Sequence, residues 1–396
     1  MALTILTAPS DTSSVSNEML FIIQEPTKSV DPVTYPNYKY VLDIYVDSTL
    51  VARLKATPDP TYKFGKFDVS VILRDYVPVY GLKANYASQT ETYNPILNYT
   101  VKLGEEYSDT LYTNLVTDTQ RSCFKSYKAA PYTTTDAISN VSGEVFSNIP
   151  RGSSVVLTDY KDAKWLIIPF FSNVTGIAIS YNFDDGAGNI IGSGGSVNYT
   201  TANEILQINL GFVKAAALMS LTQSEQEQVR RMVFDVDDGL TTISYTIVYQ
   251  CSKHPLVTLA WLNPYGAYES YTFGLVNKKT NEISRKEFAR LPYEINASGV
   301  VSYDSNGVLY GSKRGYNSSV KTTLSITSHL LTDAEYVWLA DMLNSPDVYI
   351  FNSDLDRFVP VVITDSNYEY RTYMNSRLTP LQFTVQYSDD YNTQFL

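Results

Sequence analysis

Histidine and cysteine are nearly absent, at two of each in 396 residues, and tryptophan stands at three. So few ligating side chains argue against a zinc cluster, a haem protein or a disulfide scaffold, and no metal or cofactor is expected. Cys123 and Cys251 lie far apart and read as reduced, inert thiols. Charge is also scarce. Asp, Glu, Lys and Arg make up 18% of the chain, and 30 basic against 41 acidic residues leave a net charge of −11. Gripping a nucleic-acid backbone calls for clustered cations, so sequence-specific nucleic-acid binding is not expected. The densest basic pairs, Lys278-Lys279 and Arg285-Lys286, sit among acids and polar residues and read as a solvated surface. No apolar run approaches the roughly 18 residues that cross a bilayer. The longest, WLIIPFF at Trp165–Phe171, is strand-sized and broken by Pro169. The opening MALTILTAPSDTSSVSNEML lacks the basic start and apolar stretch of a secretory signal. Without a secretory route, the Asn-x-Ser/Thr triplets at Asn98, Asn140, Asn173, Asn198, Asn296 and Asn317 read as chance.

What the chain has is tyrosine: 33 Tyr against 16 Phe, in a chain that is 44% hydrophobic and so able to bury a core. Tyr combines broad contact area with a polar tip, which suits strands and protein interfaces. The composition favours a β-rich binding or structural protein over an enzyme.

Hydrophobic period two bears this out along the chain. Tyr38, Tyr40, Leu42, Ile44 and Val46 alternate with Lys39, Val41, Asp43, Tyr45 and Asp47, and LVARLKA after Asp47-Ser48 reads as the hairpin partner. FDVSVILRDYV fits either one helical turn or a short strand. With a strand at Tyr99–Leu103, residues 1–125 are expected to form a β-sandwich. A second unit, 126–250, starts after the loop at Ala129-Ala130-Pro131, with strands at Ser154–Leu157, Trp165–Phe170, Gly176–Phe183, Ile205–Leu210 and Leu240–Val248. Thr222 and Glu225 form a capping box that predicts a helix near 222–234. A third unit, 251–396, has strands at Thr258–Leu262, Tyr268–Phe273, Leu309–Tyr310, Lys321–Ile326, Val348–Phe351, Val359–Thr364, Tyr368–Thr372 and Leu381–Val385. Thr332 and Glu335 again form a capping box, and Tyr336, Leu339, Ala340 and Leu343 give one apolar stripe, predicting a helix near 333–344. The expected class is mainly β: several β-sandwich or β-barrel-like domains, the later two with one inserted α-helix each. Their common order of strands, capped helix and strands suggests a weak internal repeat.

Chemistry-bearing motifs are few. No P-loop, dinucleotide fingerprint or nucleophile elbow occurs, and no catalytic residue is assigned. Cys251 and His254 are close in sequence, but nothing beside them would activate a thiol. Asp184-Asp185-Gly186, Asp235, Asp237, Asp238 and Asp354-Leu355-Asp356 read as solvated turns, without the spacing of a calcium loop. Paired carboxylates for glycoside cleavage stay an alternative, and Tyr-rich β-proteins do bind sugars by stacking. The most distinctive stretch is WLNPYGAYESYTF, Trp261–Phe273. Pro264 and Gly266 force a turn between two strands, Tyr271 and Phe273 share a face, and Tyr268 lies on the other. Such an aromatic density reads either as a cluster within one domain or as a surface where copies meet. Trp261, Tyr265, Tyr268, Tyr271 and Phe273 are the candidate subunit interface.

WLNPYGAYESYTF resembles an "LN…GG-aromatic…FTF" stretch of structural proteins from tailed bacteriophages and prophages of the Bacteroidetes, including crAss-like phages. Ala267 stands where the second Gly is usual. YVLDIYVDSTLVARLKATP and FGKFDVSVILRDYV, LGEEY at Leu103–Tyr107, SPDVYIF and VVITDSNYEYRTYMNSRLTPLQFTVQY are similar to the same group, in the same order and over most of the chain. The resemblance implies a virion component of the tail or neck without saying which, and the expected form is an oligomeric ring, hub or collar/adaptor. Its partners would be copies of itself and other phage tail or neck proteins, and its location the virion after synthesis in the host cytoplasm. A receptor- or glycan-binding tail module is the alternative, and a depolymerase a more distant one.

Overall fold

The alternation around Tyr40 becomes the strand Lys39–Val46, with Tyr40, Leu42 and Ile44 fully buried. Asp47 and Ser48 both take positive φ (47° and 67°), the geometry of a two-residue hairpin turn, and Thr49–Ala56 returns as the partner. On its other edge Lys39–Val46 pairs with Leu97–Tyr107, so it is an interior strand. Its second face is covered in part as well: Val41 and Asp43 are buried, and Asp43 is held by Arg53 through Nε at 2.6 Å and Nη2 at 2.9 Å.

The structure, a computed structural model, describes residues 3–78, 82, 90–93, 96–125, 147, 149–150, 156–172, 177–192, 195–199, 204–237, 242–365, 379–388 and 391–394. The expected strand Tyr368–Thr372, the loop at Ala129–Pro131 and the pair Asp238-Gly239 lie outside them. The protein is mainly β, as expected, with sheets packed face to face.

In the first unit a three-stranded sheet (Thr4–Thr7, Leu20–Gln24, Phe64–Asp68) shares one core with the sheet around Lys39–Val46, a core that runs from Leu3 to Cys123. FDVSVILRDYV resolves into the end of a strand and one helical turn, Ser70–Leu73. The next unit holds a five-stranded sheet in the order Val156–Tyr160, Thr242–Gln250, Arg231–Asp237, Ile177–Asp184, Gly195–Tyr199, whose first pair is parallel. A second, three-stranded sheet joins Ile167–Ser172 and Glu204–Asn209 to Thr90–Tyr93, a strand of the sequence's first segment.

The helix expected over 222–234 is shorter. Its capping box is present, with Thr222 N donating to Glu225 Oε2 at 2.8 Å, but the helix runs only Gln223–Gln228. Arg231–Asp237 is a strand, because Met232, Phe234 and Val236 are buried in alternation with partly exposed neighbours, which is period two rather than helical spacing. A further short helix, Phe212–Leu218, precedes it and was not anticipated. The second capped helix runs Asp333–Leu343, with Thr332 N donating to Glu335 Oε2 at 2.9 Å.

The last segment is dominated by one sheet in the order Tyr268–Phe273, Val257–Leu262, Val348–Asn352, Arg357–Ile363, Thr379–Tyr387, Lys313–Leu331, Lys278–Ala289, with Tyr391–Gln394 also pairing with Lys313–Leu331. The two helix-bearing segments therefore share a capping box but not a sheet plan. Nor does the expected division at 250 separate their interiors. One continuous core runs from Ile149 to Val385 and takes side chains from both.

Candidate functional site

The hairpin of Trp261–Phe273 lies at the centre of that joint core. Asn263 organises its turn: its side-chain Oδ1 accepts from the backbone N–H groups of Tyr265 (3.1 Å) and Ala267 (3.0 Å), and its backbone N–H donates to Ala267 O at 2.7 Å. Gly266 has φ of 85°, and a Cβ there would fall 2.0 Å from Lys125 O, so the position excludes any side chain twice over. Leu259 and Trp261 pair with Tyr271 and Glu269, which puts all four on one face. Tyr271 and Phe273 do share a face and touch edge-on at 5.1 Å between centroids, and Trp338 of the helix Asp333–Leu343 meets Trp261 at 5.8 Å and Tyr271 at 5.6 Å. The opposite face is polar and equally enclosed. Thr258 and Thr272 share a hydroxyl hydrogen bond of 2.9 Å, Ser270 Oγ accepts from Ile167 N at 2.8 Å, and Gln207 Nε2 donates to Tyr268 O at 3.3 Å.

These contacts overturn the subunit-interface assignment for Trp261, Tyr268, Tyr271 and Phe273. Trp261, Tyr268, Tyr271 and Phe273 are between 0 and 3% exposed within a single chain, and Tyr265 is half-buried. The physical reason is a third layer. Ile167–Ser172 covers the face that a two-layer sandwich would leave open, so rings on both faces find partners inside the molecule. Tyr268, on the far face, donates its hydroxyl to Asp347, which also accepts from Tyr349 at 3.2 Å.

Two carboxyl groups sit in this interior. Glu269 is fully buried; Oε2 accepts from Ser147 Oγ, while Oε1 and the indole N–H groups of Trp261 and Trp338 make no hydrogen bond of ordinary geometry. Burial outweighs the pull of Ser147 and the indoles and pushes the carboxyl up to about 8. Asp159 is likewise raised, to about 7, by burial, against a weaker pull from the Tyr160 backbone. Both groups are enclosed by protein rather than set in a cleft, and the pair offers a glycan no open face.

The remaining sequence candidates are structural. Asp184 pairs with Arg231 at 2.8 Å and caps Gly186 N, and Asp185 accepts from the backbone N–H groups of Ala187 and Asn189, so both serve the turn. Asp235 accepts from Ser244 Oγ at 2.5 Å, and Asp356 pairs with Lys164 at 3.3 Å. Among the described residues, no three His, Cys, Asp or Glu side chains gather into a metal-binding group. Cys251 is exposed, whereas Cys123 is buried and its thiol pushed up to about 12 by desolvation. His254 lines an open hollow of about 410 Å³ with Val257, Val276, Leu324, Ile350 and Tyr387.

One feature was missed by sequence reasoning. Lys278–Ala289 pairs with Lys313–Leu331 from Lys278↔Ser325 to Ala289↔Lys313, and all twelve of its residues are exposed. At about 3.3 Å per residue the ladder is roughly 40 Å long. Tyr391–Gln394 flanks only Asn317–Val320, so beyond Lys286 and Asn317 the ladder is two strands wide. Past it lie two small hairpins, Glu294–Ile295 with Val301–Ser302 and Asp304–Ser305 with Val308–Leu309. Asn306 and Gly307, at φ 55° and 77°, make the second turn. Leu291 (63%), Tyr303 (61%) and Leu309 (76%) stand in the open. Residues 287–316, beyond the pair Lys286 and Asn317, thus form a projecting β-arm. Asn306-Gly307 was the legible signal, since this dipeptide is a strong hairpin marker.

No family model matches the chain, and no curated protein does. Among solved structures, extracellular domains 3–5 of Drosophila OTK are similar at 11% identity, over 81% of this chain and 92% of that one, with a TM-score of 0.21. Dpr11 IG1 bound to DIP-gamma IG+IG2 is similar at 8% identity over 63% and 99%, with a TM-score of 0.20. The N-terminal four Ig domains of Dscam1 isoform 8.4 follow at 7% identity over 81% and 69%, with a TM-score of 0.17. Overlap this slight says nothing about what the chain does.

Proposed function

We propose that this chain is a structural component of a tailed-phage virion, one copy of a symmetric ring, hub or collar in the tail or neck. The observation that carries the reading is the pairing of a rigid framework with a long projecting arm. A lone two-stranded hairpin is marginally stable in water and gains little for an isolated subunit, whereas in an assembly it gives each copy a reach beyond its own body. The sequence resemblance supports the same reading, and its residues fall on framework positions: the hairpin at Asp47-Ser48, the turn at Gly266 and the strand Val348–Asn352. The work is mechanical. The joint core ties two segments into one stiff unit, and closed symmetry uses one contact many times. With the rings of Trp261, Tyr268, Tyr271 and Phe273 enclosed, contacts between copies fall to exposed edges. A net charge of −11 keeps free subunits soluble and gives passing DNA little to adhere to.

The test is location. Mass spectrometry of purified virions, with antibody-gold labelling, is expected to find the chain at the tail or neck. Particles that lack it while the lysate contains it overturn the reading.

A further inference from the structure

We propose that Lys28 and Glu105 condense into an amide bond that staples the two sheets of the first unit together, with Glu25 carrying the proton. The inference is independent of the assembly reading, and three observations carry it. The first is placement. Lys28 opens a short 3-10 turn, Lys28–Val30, that follows the strand Leu20–Gln24 of the three-stranded sheet. Glu105 lies on Leu97–Tyr107, in the sheet around Lys39–Val46. The two residues are 77 positions apart, and the Lys28 ammonium donates directly to Glu105 Oε1. An amine and a carboxyl group, the two halves of an amide, are thus held in contact across the sandwich.

The second is enclosure. Glu105 is 2% exposed, and Tyr38 OH donates to its other oxygen at 3.2 Å. The rings of Tyr107 and Tyr35 flank Lys28 Nζ at 5.2 and 6.0 Å from their centroids. Burial disfavours a pair of charges and favours a neutral amide in its place. The Lys28 side chain keeps 28% of its surface open, which gives the water released by condensation a way out.

The third is a second carboxyl group. Glu25 is 1% exposed, and its Oε2 accepts from the backbone N–H groups of Thr27 (3.0 Å) and Lys28. Its Oε1 is buried without a hydrogen-bond partner among the described residues. Such an oxygen is open to take a proton. Desolvation lowers the Lys28 ammonium, but its hydrogen bond to Glu105 and the charges of Glu105, Tyr107 and Glu25 outweigh that and raise it. A neutral amine therefore arises only where an acceptor within the cluster removes the proton, and Glu25 is that acceptor.

The step balances without a co-reactant. Glu25 moves one proton from the Lys28 ammonium to the Glu105 carboxylate. The freed amine attacks Cδ of Glu105, and the C–N bond forms. Glu25 then takes a second proton from the nitrogen and delivers it to the departing hydroxyl, so the C–O bond breaks and water leaves. Of the three ammonium hydrogens, one stays on the amide and two go with the water, and Glu25 ends as it began. The product closes a loop across both sheets, as a disulfide would, in a chain whose two thiols, one buried and one exposed, are both free.

Intact mass of the purified full chain under denaturing conditions tests this, followed by protease digestion and peptide mapping. The expected result is a chain one water lighter than its sequence, about 18 Da, with a branched peptide joining Lys28 to Glu105. Lys28→Arg keeps the cation, and is expected to restore the full mass and to lower the melting temperature by on the order of 10 °C. Glu25→Gln keeps the shape of the proton carrier, and is expected to slow bond formation at least tenfold while the fold is retained. A folded full chain with the mass of its sequence overturns the proposal, since Lys28 and Glu105 are then an ion pair only. A water loss that maps to other residues overturns it too. A bond that forms equally fast in Glu25→Gln overturns the role of Glu25.

Discussion

Glu269→Gln is expected to make the protein markedly more stable at alkaline pH and almost unchanged in acid. The carboxyl titrates near 4.5 when unfolded and near 8 in the folded chain, where burial is the main cause. The folded state therefore holds this proton more tightly, so stability is highest below about pH 4.5 and falls as pH rises toward 8. At about 1.4 kcal/mol per pH unit, the loss between pH 5 and pH 9 is about 4 kcal/mol from this one group. That is a large share of the 5–15 kcal/mol that typically holds a folded domain. Gln keeps the shape and the acceptor for Ser147 Oγ without a charge to desolvate. Urea unfolding followed by tryptophan fluorescence at pH 5, 7 and 9 reads the effect, since Trp261 and Trp338 lie against the site. The variant's stability should decline less steeply with pH than the wild type's, by up to about one proton's slope. Parallel pH dependences for the two proteins would refute the argument that Glu269 is buried as a neutral acid.

Two other substitutions probe the same interior. Gly266→Ala must place a Cβ against Lys125 O at positive φ and is expected to cost about 3 kcal/mol, measured by denaturant midpoint. Tyr271→Phe removes hydrogen bonds to Thr158 O (3.2 Å) and His329 Nδ1 (2.9 Å) and should cost about 1–2 kcal/mol in thermal unfolding, with the assembly of the folded protein unchanged. A change in assembly alone after Tyr271→Phe would restore an interface role to that ring.

Local chemistry was well written in the sequence. The turn at Asp47-Ser48, both capping boxes, the helix Asp333–Leu343 and the strand Tyr268–Phe273 were each legible because they depend on residues near one another. What failed depended on layers. Period two told which side Tyr268 and Tyr271 face, but not that Ile167–Ser172 would cover one of those sides, so rings that looked surplus proved to be core. The helix expected over 222–234 overran because apolar Val229, Met232 and Val233 fit helical spacing, and only pairing with Ile177–Asp184 and Thr242–Gln250 shows a strand there. The arm was hidden by its polarity. Lys278–Ala289 carries the mixed charges of a solvated surface, and its strand character comes from a partner 24 to 47 residues on.

The central claim is that copies of this chain assemble with closed symmetry, and electron microscopy of the purified full-length protein near physiological salt addresses it most directly. The account predicts discrete particles of a single copy number. A field of single subunits at every concentration would contradict it.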